Sequence, residues 1–289
     1  MKMATPTIVF KVFVYVFMGI LAFLCLIPLL NVLAYSLSSQ SAVTKGIVFL
    51  WPKEFAIDSY KVILREIHFL KSFLVSVVRV IAGTAGSVLV TLMMAYPLSK
   101  NRKIMPGRNL VMWGLLFVMM FNGGLVPTYL LMKNIGLYDN YLIMILPGLL
   151  PVFNVVLVMN FIRMLPTSLE EAAIVDGAGF WSVFTHIIIP LSKPAITTIT
   201  LFTAVGHWND YFTGLIYLSK AKYPLQTYLF TMNVNRDINN LEQALLFANV
   251  GDKTLLSAQM FVALIPLLIV YPFMQRHFVK GIVLGSVKE

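Results

Sequence analysis

Four histidines, one cysteine and twelve carboxylates make up the acid–base and metal-ligating stock of this 289-residue chain. His68, His186, His207 and His277 are scattered, and no H-E-x-x-H pair sets two imidazoles on one helix face for zinc. No G-x-S-x-G elbow presents a nucleophile, and no G-x4-G-K-[ST] loop cradles a phosphate. The sequence therefore offers no catalytic residue, no metal site and no ATP site of its own. Two ionisable residues stand out because they interrupt long apolar runs, Arg79 and Asp210. A charge inside a bilayer is costly and marks a pathway or an internal partner. Asp210 reads as a helix-to-helix hydrogen-bonding group or a cavity group. Arg79, seven positions in from Ser72, reads either as a side chain snorkelling to the interface or as a cation facing a cavity.

The apolar runs themselves dominate the composition. Hydrophobic residues are 59% of the chain and charged residues 12%, half the usual charged share of a soluble domain. In water such a surface aggregates, whereas a bilayer solvates it. The net charge of +10 then belongs to basic residues flanking spans rather than to nucleic-acid binding. The lone Cys25 excludes an internal disulfide framework.

Six runs have the length that crosses about 30 Å of hydrocarbon as a helix: Val12–Ser36, Phe73–Leu98, Leu110–Met132, Tyr141–Ile162, Ala195–Leu218 and Leu255–Met274. They are continuous rather than alternating, which excludes a barrel. The first is too long for a signal peptide and lacks a small-x-small cleavage site. The expected fold is an all-α integral membrane protein, one transmembrane domain over 1–289. Six spans put both termini on one side. Lys and Arg divide evenly, eleven to each side, but Lys100, Arg102, Lys103 and Arg108 cluster in one short loop. That cluster places this loop and the termini in the cytoplasm.

Residues 165–194 are too charged for a span and too patterned for a connector. Pro166 is followed by Thr167-Ser168-Leu169-Glu170-Glu171, in which Thr167 with Glu170, and Ser168 with Glu171, fit the capping box. A short helix is predicted through Ala172 and Ala173, broken at Gly177 and Gly179. A second follows with Phe180, Trp181, Val183 and Phe184 in its first turns, and Pro190 is predicted to end it. Such a bent, aromatic pair either plugs into a groove on another protein or lies in the headgroups.

The spacing Glu171-Ala172-Ala173, Gly177, Ile187, Ile189-Pro190 resembles the E-A-A-x3-G-x9-I-x-L-P loop of bacterial ABC importer permeases, with Ile189 the one departure. Phe121 to Tyr129, Leu146-Pro147-Gly148, Gly206 to Phe212 and Tyr223-Pro224-Leu225-Gln226 are similar to the carbohydrate-uptake class. Within it the chain resembles the MalG-like branch, and more so the LplC/YtcP-like permeases of complex oligosaccharides. The resemblance runs from the first span to the Gly281–Lys288 tail.

The resemblance implies the type I importer fold and a multi-pass subunit of the bacterial cytoplasmic membrane. It implies a second homologous permease, two ATPase subunits holding ATP and Mg, an extracytoplasmic solute-binding protein and a sugar as partners, with no nucleic acid. The coupling residues it marks are Glu170, Glu171, Ala172, Ala173, Gly177, Phe180, Trp181, Phe184, Ile187 and Pro190. Arg79, Asn122, Trp208, Asn209, Asp210 and Tyr211 become candidates for the substrate pathway: Trp208 and Tyr211 to stack on a pyranose, Arg79 to attract a uronate-containing oligosaccharide. The segment 219–254, with Asn233, Asn235, Arg236, Asp237, Asn239 and Asn240, reads as an outer loop that reaches the binding protein. The alternatives are an ABC permease for a peptide or amino acid, and a stand-alone secondary transporter, which needs more buried carboxylates than Asp210. The topology has a direct check. Single cysteines at Asn101 and Thr185 should react with impermeant maleimide from the cytoplasmic side only, and one at Asn239 from outside only; the opposite pattern at any site contradicts it.

Overall fold

The computed structural model describes residues 5–234 and 251–286, with side chains for 10–232, 251–270 and 272. The calls on Asn235, Arg236, Asp237, Asn239 and Asn240 lie outside the described residues. The described residues are mostly helical, and among them the only extended pairing is an isolated bridge, Ser38 with Phe55. The chain divides into two compact units, Met1–Leu70 with Met232–Pro266, and Lys71–Thr231 with Leu267–Glu289.

The first unit contains α1 (Thr5–Ser36), α2 (Gln40–Thr44), α3 (Asp58–Arg65) and the start of the last long helix, which covers Asp252–Ser286. Ser39 caps α2 by accepting the Ala42 N–H at 3.1 Å. Ser38 ties the following loop back by donating to the Ala34 carbonyl, 2.6 Å, and accepting the Lys53 N–H, 3.0 Å.

The second unit is built on α4 (Ile67–Ser99). Gly83, Ser87, Thr91 and Ala95 recur every four residues and so share a face. Ser87, Thr91 and Ala95 are fully buried there. A methyl group at Gly86 would stand 2.8 Å from Leu149 Cδ2, so the Leu149 side chain would have to shift to admit one. Lower on the same helix Leu92, Tyr96 and Leu98 join a core with Val155, Val158, Met159 and Ile162 of α7 (Val152–Arg163). α5 (Arg108–Met120) and α7 also hold the end of α4. Arg108 Nε and Arg163 Nη2 both donate to the Leu98 carbonyl, at 2.7 and 3.1 Å. Cations there complement the negative end of the helix dipole.

The expected continuous spans need correction. Three helices are long and apolar enough to cross a membrane alone, Phe10–Ser36, Ile67–Ser99 and Asp252–Val270; six are reached only if each of three bent pairs is one span. The third run is not one helix. α5 and α6 (Leu125–Asn134) meet at 114°. Asn122 Oδ1 takes the Gly124 N–H at 2.9 Å, and Gly124 has φ +87°, a turn that reverses the chain. The fourth run is two 3-10 turns, Tyr141–Met144 and Leu146–Gly148, set at 42° to α7. The fifth breaks at Asp210, which is extended between Lys193–Asn209 and Phe212–Tyr217. The segment 219–254 is not a plain loop either, since it holds the helix Leu225–Val234, whose Leu225, Thr227, Tyr228 and Leu229 are buried.

Two loops at one end of this unit are clasped by Asp139. Its N–H donates to the Tyr217 carbonyl, its carboxylate accepts the Ser219 N–H, both at 2.9 Å, and Lys222 pairs with it at 2.9 Å. Lys222, with the Ser219 amide, holds this carboxyl down at about 2. A depressed folded value means that the clasp stabilises fully above the ordinary carboxyl range near ~3.9 and is lost as pH falls through about 2. Thermal unfolding in detergent should therefore show Asp139→Asn melting below the wild type at pH 6, with the gap closing between pH ~4 and pH ~2. A gap unchanged across that window excludes the clasp as its source.

Candidate functional site

Continuing the chain, α8 covers Thr167–Val175, α9 Phe180–Val183 and α10 Ile189–Leu191, with a π-helical turn, Phe184–Ile188, joining the last two. α11 is Lys193–Asn209, α12 Phe212–Tyr217 and α13 Leu225–Val234. Neither predicted capping box forms. α8 starts one residue early, on Pro166, with no side-chain cap. Glu170 is drawn away instead into an ion pair with Lys100, whose ammonium also sits 4.3 Å over the Tyr96 ring.

The end of α8 is a Schellman turn. The Gly177 N–H donates to the Ile174 carbonyl at 3.0 Å, and the Ala178 N–H to the Ala173 carbonyl at 2.9 Å. Gly177 has φ +84°, a conformation side-chain-bearing residues rarely hold, although the space around it is open. Pro190 does not end the second helix as predicted. It lies inside a helical stretch that runs from Phe180 to Leu191 and then turns by 77° into Lys193–Asn209. A proline clashes with the carbonyl four residues back, here His186, and the wider π turn ahead of Pro190 moves that carbonyl away.

The aromatic residues split into two roles. Phe184, which the resemblance marks as a coupling residue, is buried and stacked on Tyr96 at 5.1 Å, with Val183 and Ile188 beside it in the core. Phe180 reaches Tyr96 at 4.9 Å yet is half exposed, and Trp181 packs edge-on against Phe180 and stays 61% exposed. Ile174 and Val175 are also exposed, at 60% and 86%. Ala173 and Ile187 pack on the core, while Glu171, Ala172 and Pro190 lie outside it and exposed. The result is an apolar, outward-facing ridge on a bent loop that Lys100, Glu170 and Tyr96 fix to α4.

A cavity of about 700 Å³ opens between α4, α6, the Leu146–Gly148 turn, α7, α11 and α12. Arg79 and Asp210 meet in its wall. Arg79 Nη1 donates to the Asp210 carbonyl at 3.0 Å and Nη2 to its carboxylate, whose other oxygen accepts the Thr213 N–H at 3.1 Å. Asp210 thus closes α11 and opens α12, which is why the fifth run breaks there. Arg79 is 4% exposed, so it does not snorkel. His207 is buried with its ring against Gly83, where a methyl group would stand 2.5 Å from Nε2.

Of the predicted pathway residues, Arg79, Asn122 and Asp210 line this cavity. Trp208, Asn209 and Tyr211 are not among its lining residues. Trp208 is buried edge-on against Phe73 at 5.9 Å, so its ring is enclosed, whereas Tyr211 stacks on Phe230 at 4.7 Å and stays 40% exposed. Reasoning from ionisable groups missed Asn154, Thr203 and Thr128, which also line the wall. Asn154 was visible as one of two amides, with Asn160, inside the fourth apolar run.

Comparison with known proteins adds the following. The family described as "Binding-protein-dependent transport system inner membrane component" matches residues 87–284. Protein LplC of Bacillus subtilis is 39% identical over 97% of this chain and 95% of its own length. The polygalacturonan/rhamnogalacturonan transport system permease protein YtcP of Bacillus subtilis is 38% identical over 96% and 98%. A chain from the crystal structure of a bacterial ABC transporter involved in the import of the acidic polysaccharide alginate superposes with a TM-score of 0.87, at 34% identity, covering 96% of this chain and 99% of that one.

The anchoring of the loop can be measured by a double-mutant cycle. Lys100→Met and Glu170→Gln each leave a largely buried partner unmatched, so each should destabilise by about 1–3 kcal/mol. The two losses should not add, with coupling of about 1 kcal/mol. Strict additivity in chemical unfolding removes the pair as an anchor.

Proposed function

Because the chain belongs to the binding-protein-dependent transport system inner membrane component family, we propose that it is the permease subunit of an ATP-driven sugar importer. As a permease component it is a transport subunit of the inner membrane and not an enzyme. Its substrate is an oligosaccharide, and the names of YtcP and of the alginate importer support a uronate-containing one. ATP and Mg act on two partner ATPase subunits and not on this chain. A second homologous permease completes the pathway, and an extracytoplasmic binding protein delivers the sugar. The termini and the Thr167–Leu191 loop face the cytoplasm.

The observation that carries this reading is the outward apolar ridge on a rigidly bent loop. Ile174, Val175, Phe180 and Trp181 are exposed, yet the helices bearing them are anchored on one side by the Glu170–Lys100 pair and on the other by Phe184 and Ile188 in the core. A ridge of this kind suits a groove on another protein, and a rigid mount transmits the groove's displacement to α4 and α11. The carbohydrate-class segments at Asn122–Gly124 and Trp208–Asp210 both shape the wall of the cavity or its break.

The test uses vesicles containing the full complex. Gly177→Val forces a β-branched residue to φ +84°, at a cost of about 1–3 kcal/mol, and should re-angle α9 against α8. ATP-driven import should fall to background while the chain remains at wild-type abundance in the membrane. Import at the normal rate by this variant, or import by the chain alone without ATP, contradicts the proposal.

A further inference from the structure

The cavity holds charge and polarity in an arrangement that bears on which part of a sugar it touches. Among the described residues lining it, Arg79 is the sole lysine or arginine and Asp210 the sole carboxylate, and they are paired. Both Nη atoms of Arg79 are committed to Asp210, and its Nε is sealed from solvent with no acceptor. Each Nη keeps one further proton, but the side chain is only 3% exposed, so the guanidinium offers the lumen almost no surface. A sugar carboxylate could pair closely with it only by displacing Asp210, which leaves a part-buried anion without its cation.

The uncharged groups are arranged differently. On α11, Thr197, Thr198 and Thr200 each return their hydroxyl proton to the carbonyl four residues back. Thr203 instead accepts the Asn154 amide at 3.1 Å, which leaves its own proton to give. Asn154 is 5% exposed, and its amide oxygen remains to accept. Across the cavity, Thr128 gives its proton to the Gly124 carbonyl at 2.7 Å and keeps lone pairs, while Asn122 spends its oxygen on the Gly124 N–H and keeps its amide protons. Donors and acceptors thus lie side by side. A hydroxyl both gives and takes hydrogen bonds and can use all four groups; a carboxylate only takes, so it finds donors in Thr203 and Asn122 but meets Asn154 Oδ1 and Thr128 Oγ1 as like partners.

We propose that this cavity is a subsite for the hydroxyl-bearing face of the transported sugar, formed by Asn154 and Thr203 facing Asn122 and Thr128, and that it does not read the sugar's carboxylates. The proposal rests on the transport reading above. Its consequence is that Arg79 is a positioning residue: it holds the α11–α12 break and never contacts the substrate. Any discrimination of acidic from neutral sugars is made outside this wall.

Proteoliposomes with the complete importer separate these claims, with a trigalacturonide and its fully methyl-esterified form as probes. Arg79→Gln combined with Asp210→Asn removes both charges and keeps hydrogen-bonding groups at both places. Import of each probe, relative to wild type, should change by the same factor. Asn154→Leu and Thr203→Val should lower import of both probes by about tenfold, the worth of one to two hydrogen bonds, and Thr203→Ser should restore it. Selective loss of the charged probe in the double variant overturns the proposal, because Arg79 then reads carboxylates. So does wild-type import by both Asn154→Leu and Thr203→Val. Absence of any ATP-driven import by the wild-type complex sinks the transport reading itself, and this inference with it.

Discussion

A guanidinium enclosed among apolar helices has to be matched, and for Arg79 the match is Asp210, 131 positions further on. That one pair does three things at once. It neutralises a cation that hydrocarbon would otherwise exclude. It ends α11, because the Asp210 carbonyl and carboxylate both turn toward Arg79 rather than continuing a helix. It starts α12, through the carboxylate oxygen that receives the Thr213 N–H. The cavity wall between α4 and α11 exists because the fifth apolar run is interrupted there, and glycines at Gly83 and Gly86 let His207 and Leu149 approach α4 around it.

The same helix carries the second assembly. Lys100 follows Arg79 by 21 positions, about 30 Å of helix, and there α4 ends on the Leu98 carbonyl held by Arg108 and Arg163. Tyr96 is packed by Phe180 and Phe184 just before that end, and Lys100 takes Glu170 just after it. One helix therefore joins the cavity to the bent loop. Buried side chains packed at both ends make it a stiff connection rather than a tether, since close-packed interiors transmit displacement.

How much of this was legible in the sequence depends on how local the cause is. The apolar runs announced membrane helices, and the order Glu171-Ala172-Ala173, Gly177, Phe180 announced two short helices about a glycine, since a Schellman turn is written within six residues. Breaks inside the runs were not legible. Asp210 looked like one polar residue in a span because its cause, Arg79, sits on another helix. Glu170 fitted a capping box by spacing, but Lys100 outcompetes the backbone amide for its carboxylate. Trp208 looked available to a sugar, and only the packing of Phe73 shows that its ring is enclosed. Asn154 and Thr203 acquire meaning only as a pair, across 49 positions.

The outward ridge of Ile174, Val175, Phe180 and Trp181 has a cost before assembly. A subunit whose ridge is uncovered shows water an adhesive surface that native packing within its own chain does not hide. Such surfaces are what chaperones hold and proteases sample. Where a partner covers the ridge, as proposed, an orphan copy is more open to both than an assembled one, and its lifetime is the shorter.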